Sequence, residues 1–410
     1  MQRRSLLKGT AGLLSGGLLW PSAAQSVPRG HNAYFARLNE ILKREGPGHP
    51  VMVLDQRAVD YNIDQLTASV GRDKKYRAVV KSLPSVPLLE HVLERSRSQA
   101  LMVFHQPFLN EIARAFPQSD ALLGKPMPVQ AARTFYHELG RSTFNPTTQL
   151  QWLIDSRDRL LQYQSLARQL GVSMRVNFEI NVGLYRGGFD QPEQLSEALA
   201  IVAADPSHLQ VGGLMGYEPQ LTGLQAELSH PAVQSVLAKY KGFISRLQQA
   251  GYDPERLTLN GAGSHTLKIY ERDQTMNDLS AGSGVVKPTD FDTFHLENSR
   301  PAMFIATPIL KRYRENPVLS EPPTLREQIY YIYGGYWKAK MVSPPEIGEP
   351  LYESTNQSPV TTSSDVELDV DDYMFLRPTQ SEFVMLQFGD LLVFDGQEIR
   401  ARWPVFHQTG

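Results

Sequence analysis

From residue 31 onward the chain alternates between two apolar periodicities. Residues 31–48, HNAYFARLNEILKREGPG, space their apolar positions as a helix does and stop at Gly46, Pro47 and Gly48. PVMVLD (50–55) reads as a strand, and Asp55 is placed to cap the helix DQRAVDYNIDQLTASV. YRAVVKSLPS (76–85) supplies the next strand, followed by a helix at 85–97, a strand at 99–104 and a helix at 107–116. A helix at 148–170, strands at 173–180, 209–217 and 256–261, and helices at 192–204 and 231–250 continue the series. Strand and helix alternating at this spacing predict an α/β fold, a TIM (β/α)8 barrel, over 25–300. From Thr307 the texture changes: ATPILKRYR, EQIYYIYGGYW and KAKMV read as strands, and a polar, turn-rich stretch follows at 344–365. Strands at 371–376, 382–388, 391–394 and 399–403, with turns such as Asp395-Gly396, complete a mostly β domain over 301–410.

Composition narrows the partners. Hydrophobic content of 41%, charged content of 20% and a net charge of −2 describe an ordinary globular chain with no electrostatic case for nucleic acid or an anionic membrane. The absence of cysteine removes disulfides, thiolate metal sites, a cysteine nucleophile and the residue a lipoprotein anchor needs. Residues 1–24 read as a targeting segment: Arg3 and Arg4 precede a glycine-rich, mildly apolar run, and Ser22, Ala23 and Ala24 form a cleavage site. Twin arginines before a weakly apolar run resemble a Tat signal, so a periplasmic protein without a stable membrane anchor is expected.

In a barrel of this kind the chemistry gathers where strands end. The strand RAVVK ends at Lys81; pointed inward, its ammonium is costly to desolvate, and a neutral amine can condense with an aldehyde. The alternative is a strand-end lysine that reaches solvent. NVGLYRGGF sets Arg186 among Gly183, Gly187 and Gly188, a fixed cationic fork for an anionic oxygen or a surface arginine in a glycine loop. GLMGYEP delivers Tyr217 and Glu218, the tyrosine offering a hydroxyl to a ring nitrogen or simply packing. LNGAGSHTL and LSAGSGVV present Gly263, Ser264, Thr266, Gly282 and Ser283, amides and hydroxyls of the type that cradles a phosphate.

These motifs, in this order, resemble those of fold-type III pyridoxal-phosphate enzymes. Within that class the chain is similar to the D-threonine aldolase and D-serine dehydratase group, whose barrel is of the alanine-racemase N-terminal type. The resemblance runs from PVMVLDQRAVDYNI through RAVVKSL, NVGLYRGGF, GLMGYE and the two glycine-serine loops to the closing RARWPVF. It implies pyridoxal 5'-phosphate as cofactor and Lys81 as the Schiff-base lysine, which also serves as base at Cα or on a substrate hydroxyl. It assigns Arg186 to the cofactor's phenolic oxygen, Tyr217 to the neighbourhood of its pyridine nitrogen, and Gly263, Ser264, Thr266, Gly282 and Ser283 to its phosphate. It also implies a lyase acting on a D-β-hydroxy amino acid such as D-threonine or D-serine, and a homodimer.

The sequence departs from the group at one place. Where the group carries a metal-binding histidine and a nearby cysteine or aspartate, this chain reads RPTQSEFVML, with Gln380 and Glu382 at the ligand positions; STNQ (354–357) replaces a second acidic motif. A neutral amide is a poor metal ligand and one carboxylate rarely holds a divalent ion alone, so no metal is expected there. Gln380 and Glu382 become candidates for the substrate hydroxyl instead, and His265, His295 and His407 read as surface or core histidines. An amino-acid racemase, which needs a second base, and a pyridoxal-phosphate-binding protein without turnover are the competing readings.

Overall fold

The computed structural model describes residues 30–313, 328–345, 347–363 and 365–407, so the expected export signal at 1–24 lies outside the described residues. Its strands are β1 (Val51–Asp55), β2 (Lys75–Val79), β3 (Ala100–Val103), β4 (Asp120–Leu123), β5 (Leu150–Ile154), β6 (Met174–Glu179), β7 (Leu209–Met215), β8 (Thr258–Gly261) and β9 (Asp278–Ala281). Beyond these come β10 (Met303–Tyr313), β11 (Gln328–Tyr333), β12 (Ala339–Ser343), β13 (Gln357–Thr362), β14 (Tyr373–Pro378), β15 (Asp390–Phe394) and β16 (Ile399–Pro404). Strands β2 to β9 close into a parallel barrel, β9 pairing back onto β2, with helices outside. The remaining eight form a second, mostly antiparallel sheet ordered β12-β14-β10-β1-β15-β16, with β11 joined to β10 and β13. The expected α/β barrel followed by a β domain is the observed fold.

Six elements differ from the sequence expectation. β1 does not open the barrel: it lies antiparallel to β10 and parallel to β15. Its fully buried VMVLD fits an interior strand of either sheet, so period alone could not assign it. Lys81 therefore follows the first barrel strand, not the second. The span 148–170 holds β5 before the helix Arg157–Leu170 begins at its Ser156 cap, and β4 and the helix Val129–Leu139 fill the preceding gap. Short apolar runs such as DALL and QWLI carry too few residues for a periodicity to stand out. In the β domain, 344–365 contains β13, and 382–388 begins with a short helix, Glu382–Met385, instead of a strand.

The N-terminal helix Ala33–Glu45 belongs with the β domain, since Phe35 and Leu38 bury among Phe304, Phe375 and Phe394. Tyr34 donates to Asp55 Oδ2 at 2.8 Å, and Asp55 Oδ1 accepts from Ala58 N at 3.0 Å, so one carboxylate ties this helix to the start of the next. Inside the barrel Arg77 is completely buried, forking onto Asp278 at 2.9 and 2.7 Å and reaching Asp120 at 3.1 Å. The paired charges satisfy one another where an unpaired guanidinium would be prohibitively desolvated. Among the described residues no helix is long and apolar enough to cross a membrane.

Candidate active site

The carboxyl ends of the barrel strands surround one cavity, about 620 Å3 when the space open to solvent at its mouth is counted. Lys81 enters it from the 3-10 turn Val80–Ser82 that follows β2. It is not the desolvated amine the sequence suggested. Its side chain is 39% exposed and its Nζ lies 2.5 Å from Glu382 Oε1 and 4.9 Å from the centre of the Phe104 ring. Ser82 Oγ donates to the same carboxylate oxygen at 3.1 Å. Glu382 comes from the β domain, so both domains contribute to the cavity.

The two glycine-serine turns follow β8 and β9, and since β9 pairs with β2 the second lies beside the Lys81 turn. Ser264 Oγ accepts from Gly282 N at 3.2 Å and from Gly284 N at 2.9 Å, and Ser283 shares a hydrogen bond with Ser381 at 3.1 Å. The glycines serve close approach here. A Cβ on Gly282 would stand 2.7 Å from Val79 Cβ, and one on Gly263 2.8 Å from the Tyr217 ring. The positive φ in this region falls on Ala262, at 67°, a conformation costly for any residue with a side chain. Around Arg186, Gly183 and Gly188 do adopt positive φ, as expected.

Tyr217 lines the cavity with the Arg186 guanidinium 5.0 Å from its ring centre, and burial pushes its hydroxyl above the ordinary tyrosine range. Glu218, next in the chain, points the other way. It is fully buried, accepts from Thr266 Oγ1 at 2.6 Å, and burial lifts its pKa from 4.5 to about 7. Burial also raises Glu179, beneath the Arg186 loop, and lowers His265, whose ring stacks 4.2 Å from Phe291.

Most sequence-selected residues converge: Lys81, Arg186, Tyr217, Gly263, Ser264, Gly282, Ser283 and Glu382 all line this one cavity. Two do not. Thr266 is 1% exposed and lies behind the wall, its hydroxyl accepting from Gly263 N at 3.0 Å while donating to Glu218, so it braces the turn from below. Gln380 turns outward to donate to Asp290 at 2.8 Å. Sequence reasoning passed over Ser82, Phe104 and Asn260, each within three residues of the end of a barrel strand; reading every strand end in full finds them. Among the described residues no three histidine or acidic side chains gather as a metal site.

Comparison with known proteins agrees with this geometry. Residues 54–287, more than half the chain, match the alanine racemase N-terminal domain family. The chain belongs to that family. The match covers Lys81, Arg186, Tyr217 and both glycine-serine turns of this alanine racemase-type barrel, and stops short of Glu382. Its solved structural neighbours include D-threonine aldolase from Filomicrobium marinum, at 15% identity and a TM-score of 0.68 over 87% of this chain and 94% of that one. D-threo-3-hydroxyaspartate dehydratase from Delftia sp. HT23 aligns at 14% identity and 0.68, over 87% and 97%. Alanine racemase from Clostridium difficile 630, in complex with cycloserine, aligns at 16% and 0.65, over 86% and 97%. At these identities the likeness establishes the shared fold, that of fold-type III pyridoxal-phosphate enzymes. Comparison with curated protein sequences gives no match.

Proposed function

We propose that this member of the alanine racemase N-terminal domain family binds pyridoxal 5'-phosphate and is a lyase for D-configured β-hydroxy amino acids. The observation that carries the reading is one cavity lined both by a reachable amine, Lys81, and by the amide and hydroxyl turns of Ser264, Gly282 and Ser283. The donor set fits the cofactor. Amides at Gly282 and Gly284 now point at a single serine oxygen, and hydroxyls and N–H groups presented together suit a phosphate. Arg186 offers a permanent cation to an anionic ring oxygen, and the Tyr217 hydroxyl, kept protonated by burial, is a donor for the ring. When bound, the cofactor supplies an aldehyde for an amine and a ring that accepts electrons from a substrate Cα.

The chain's own residues do the rest. Lys81 Nζ would be the group that holds a proton for delivery to or removal from a substrate Cα. Phe104 and Phe291 contribute apolar wall to the cavity. The racemase alternative asks for a second base across the cavity.

The test begins with the visible absorbance of purified protein reconstituted with pyridoxal phosphate, followed by borohydride reduction and peptide mapping. The pyridoxyl group is expected on Lys81, and Lys81→Ala is expected to lose both the band and all turnover. An adduct on another lysine would refute the assignment. Glycine and acetaldehyde from D-threonine, or pyruvate and ammonia from D-serine, support a lyase; loss of optical rotation without a new product makes it a racemase, and a band without turnover makes it a binding protein. The arginine pair at Arg3 and Arg4 supports Tat export to the periplasm, and the fold type supports a homodimer; fractionation and light scattering check these.

A further inference from the structure

The β domain sends an acidic side chain into the barrel mouth. Among the described residues that line the cavity Glu382 is the only carboxylate. Its Oε1 touches Lys81 Nζ at 2.5 Å and Ser82 Oγ at 3.1 Å, while among the described residues no donor reaches Oε2. The segment that carries it is stitched to the late barrel loop on every side. Arg377 forks onto Asp292 at 2.8 and 2.7 Å and donates to the Lys287 carbonyl; Asp290 N donates to the Thr379 carbonyl; Ser381 meets Ser283. A side chain held so firmly by its backbone, yet itself half-exposed in the cavity, is placed for substrate and not for packing.

Resting on the proposed lyase reading, we infer that Glu382, oriented by Ser82, takes the proton of the substrate's β-hydroxyl, and that the reaction of this site is retro-aldol cleavage without a metal. A substrate amino group that replaces Lys81 Nζ carries its β-oxygen two carbons away, about 3 Å off in a gauche arrangement. A carboxylate in contact with that nitrogen is within reach of the hydroxyl as well. Glu382 is an acceptor for the ammonium and for Ser82, so it is set to remove a proton; dehydration would need a donor at the same place.

The step balances. The hydroxyl proton passes to Glu382 Oε1, the O–H electron pair becomes the second C–O bond of the departing aldehyde, and the Cα–Cβ bond breaks with its pair left on Cα, for which the bound cofactor would supply an electron-accepting ring. The Glu382–Lys81 contact then hands the proton to Lys81, which returns it to Cα. D-threonine yields glycine and acetaldehyde with no oxidant or reductant.

The test uses cofactor-loaded protein dialysed against a chelator, with Glu382→Gln and Glu382→Asp. Wild type is expected to release acetaldehyde from D-threonine after chelation. E382Q is expected to take up pyridoxal phosphate within threefold of wild type, which shows that it folds, and to lose kcat by about 100-fold or more, with partial recovery in E382D. In the substrate-free loaded protein, E382Q is expected to lower the pH midpoint of the visible band by half a unit or more, because a carboxylate beside a protonated nitrogen is gone. Cleavage by E382Q within threefold of wild type, an unmoved band, a requirement for added manganese, or pyruvate from D-serine with no glycine from D-threonine would each overturn the inference while leaving the cofactor reading intact. Failure of wild type to take up cofactor removes the proposed function itself, and this inference with it.

Discussion

Glu218 gives this protein a pH-dependent weakness that a single amide removes. The carboxyl lies fully buried behind the Tyr217 wall, where Thr266 and the backbone N–H of Ala262 donate to it without offsetting its desolvation, and its pKa rises from 4.5 to about 7. Because the folded chain holds this proton more tightly than the unfolded chain, folding binds a proton between pH 4.5 and 7. The contribution of this one carboxyl to stability is therefore greatest below pH 4.5, falls as pH rises through 7, and is constant beyond. At about 1.4 kcal/mol per pH unit the full loss is about 3 kcal/mol, of which about 2 to 3 kcal/mol falls between pH 5 and pH 8. Glu218→Gln abolishes the titration. Its amide nitrogen meets a backbone donor, which costs about 1–3 kcal/mol at every pH, so the informative quantity is the change with pH and not the offset. Urea unfolding of cofactor-free wild type and E218Q at pH 5, 6, 7 and 8 measures it. The difference between the two proteins is expected to move in favour of the variant by about 2 to 3 kcal/mol from pH 5 to pH 8. A difference flat to within 0.5 kcal/mol, taken here as roughly the noise of such extrapolations, refutes the reasoning.

Thr266→Val deletes the hydroxyl that serves Glu218 and Gly263 together. It is expected to destabilise by about 2–4 kcal/mol, to extend the pH-dependent loss of stability above pH 7 because Glu218 loses a hydrogen bond to its charged form, and to weaken pyridoxal-phosphate uptake; urea titration and equilibrium dialysis check the three effects. Gly282→Ala forces a Cβ to within 2.7 Å of Val79 Cβ and 2.8 Å of Ser82 Cβ, neither at the end of a flexible chain. Overpacking of about 1–3 kcal/mol, borne by the turn that would hold the phosphate, is expected to weaken cofactor affinity by about 5- to 150-fold while Lys81 remains present to react. Unchanged affinity would remove the turn from the cofactor site.

The sequence by itself determined the barrel, the β domain and the strand ends that bear the chemistry, because strand-helix alternation is local and a residue just beyond a strand is local too. Lys81, Ser264 and Ser283 are legible that way, and so is Asp55 as a helix cap. Tertiary structure alone decided which sheet β1 joins, since a strand buried on both faces carries no mark of its neighbours. It alone decided that Thr266 faces Glu218 and not the cavity, because a three-residue turn fixes which residues come together but not which way each hydroxyl points. And it alone brought Glu382 against Lys81 from some 300 residues away: a carboxylate and an amine so far apart in the chain meet through domain packing, which no local pattern encodes.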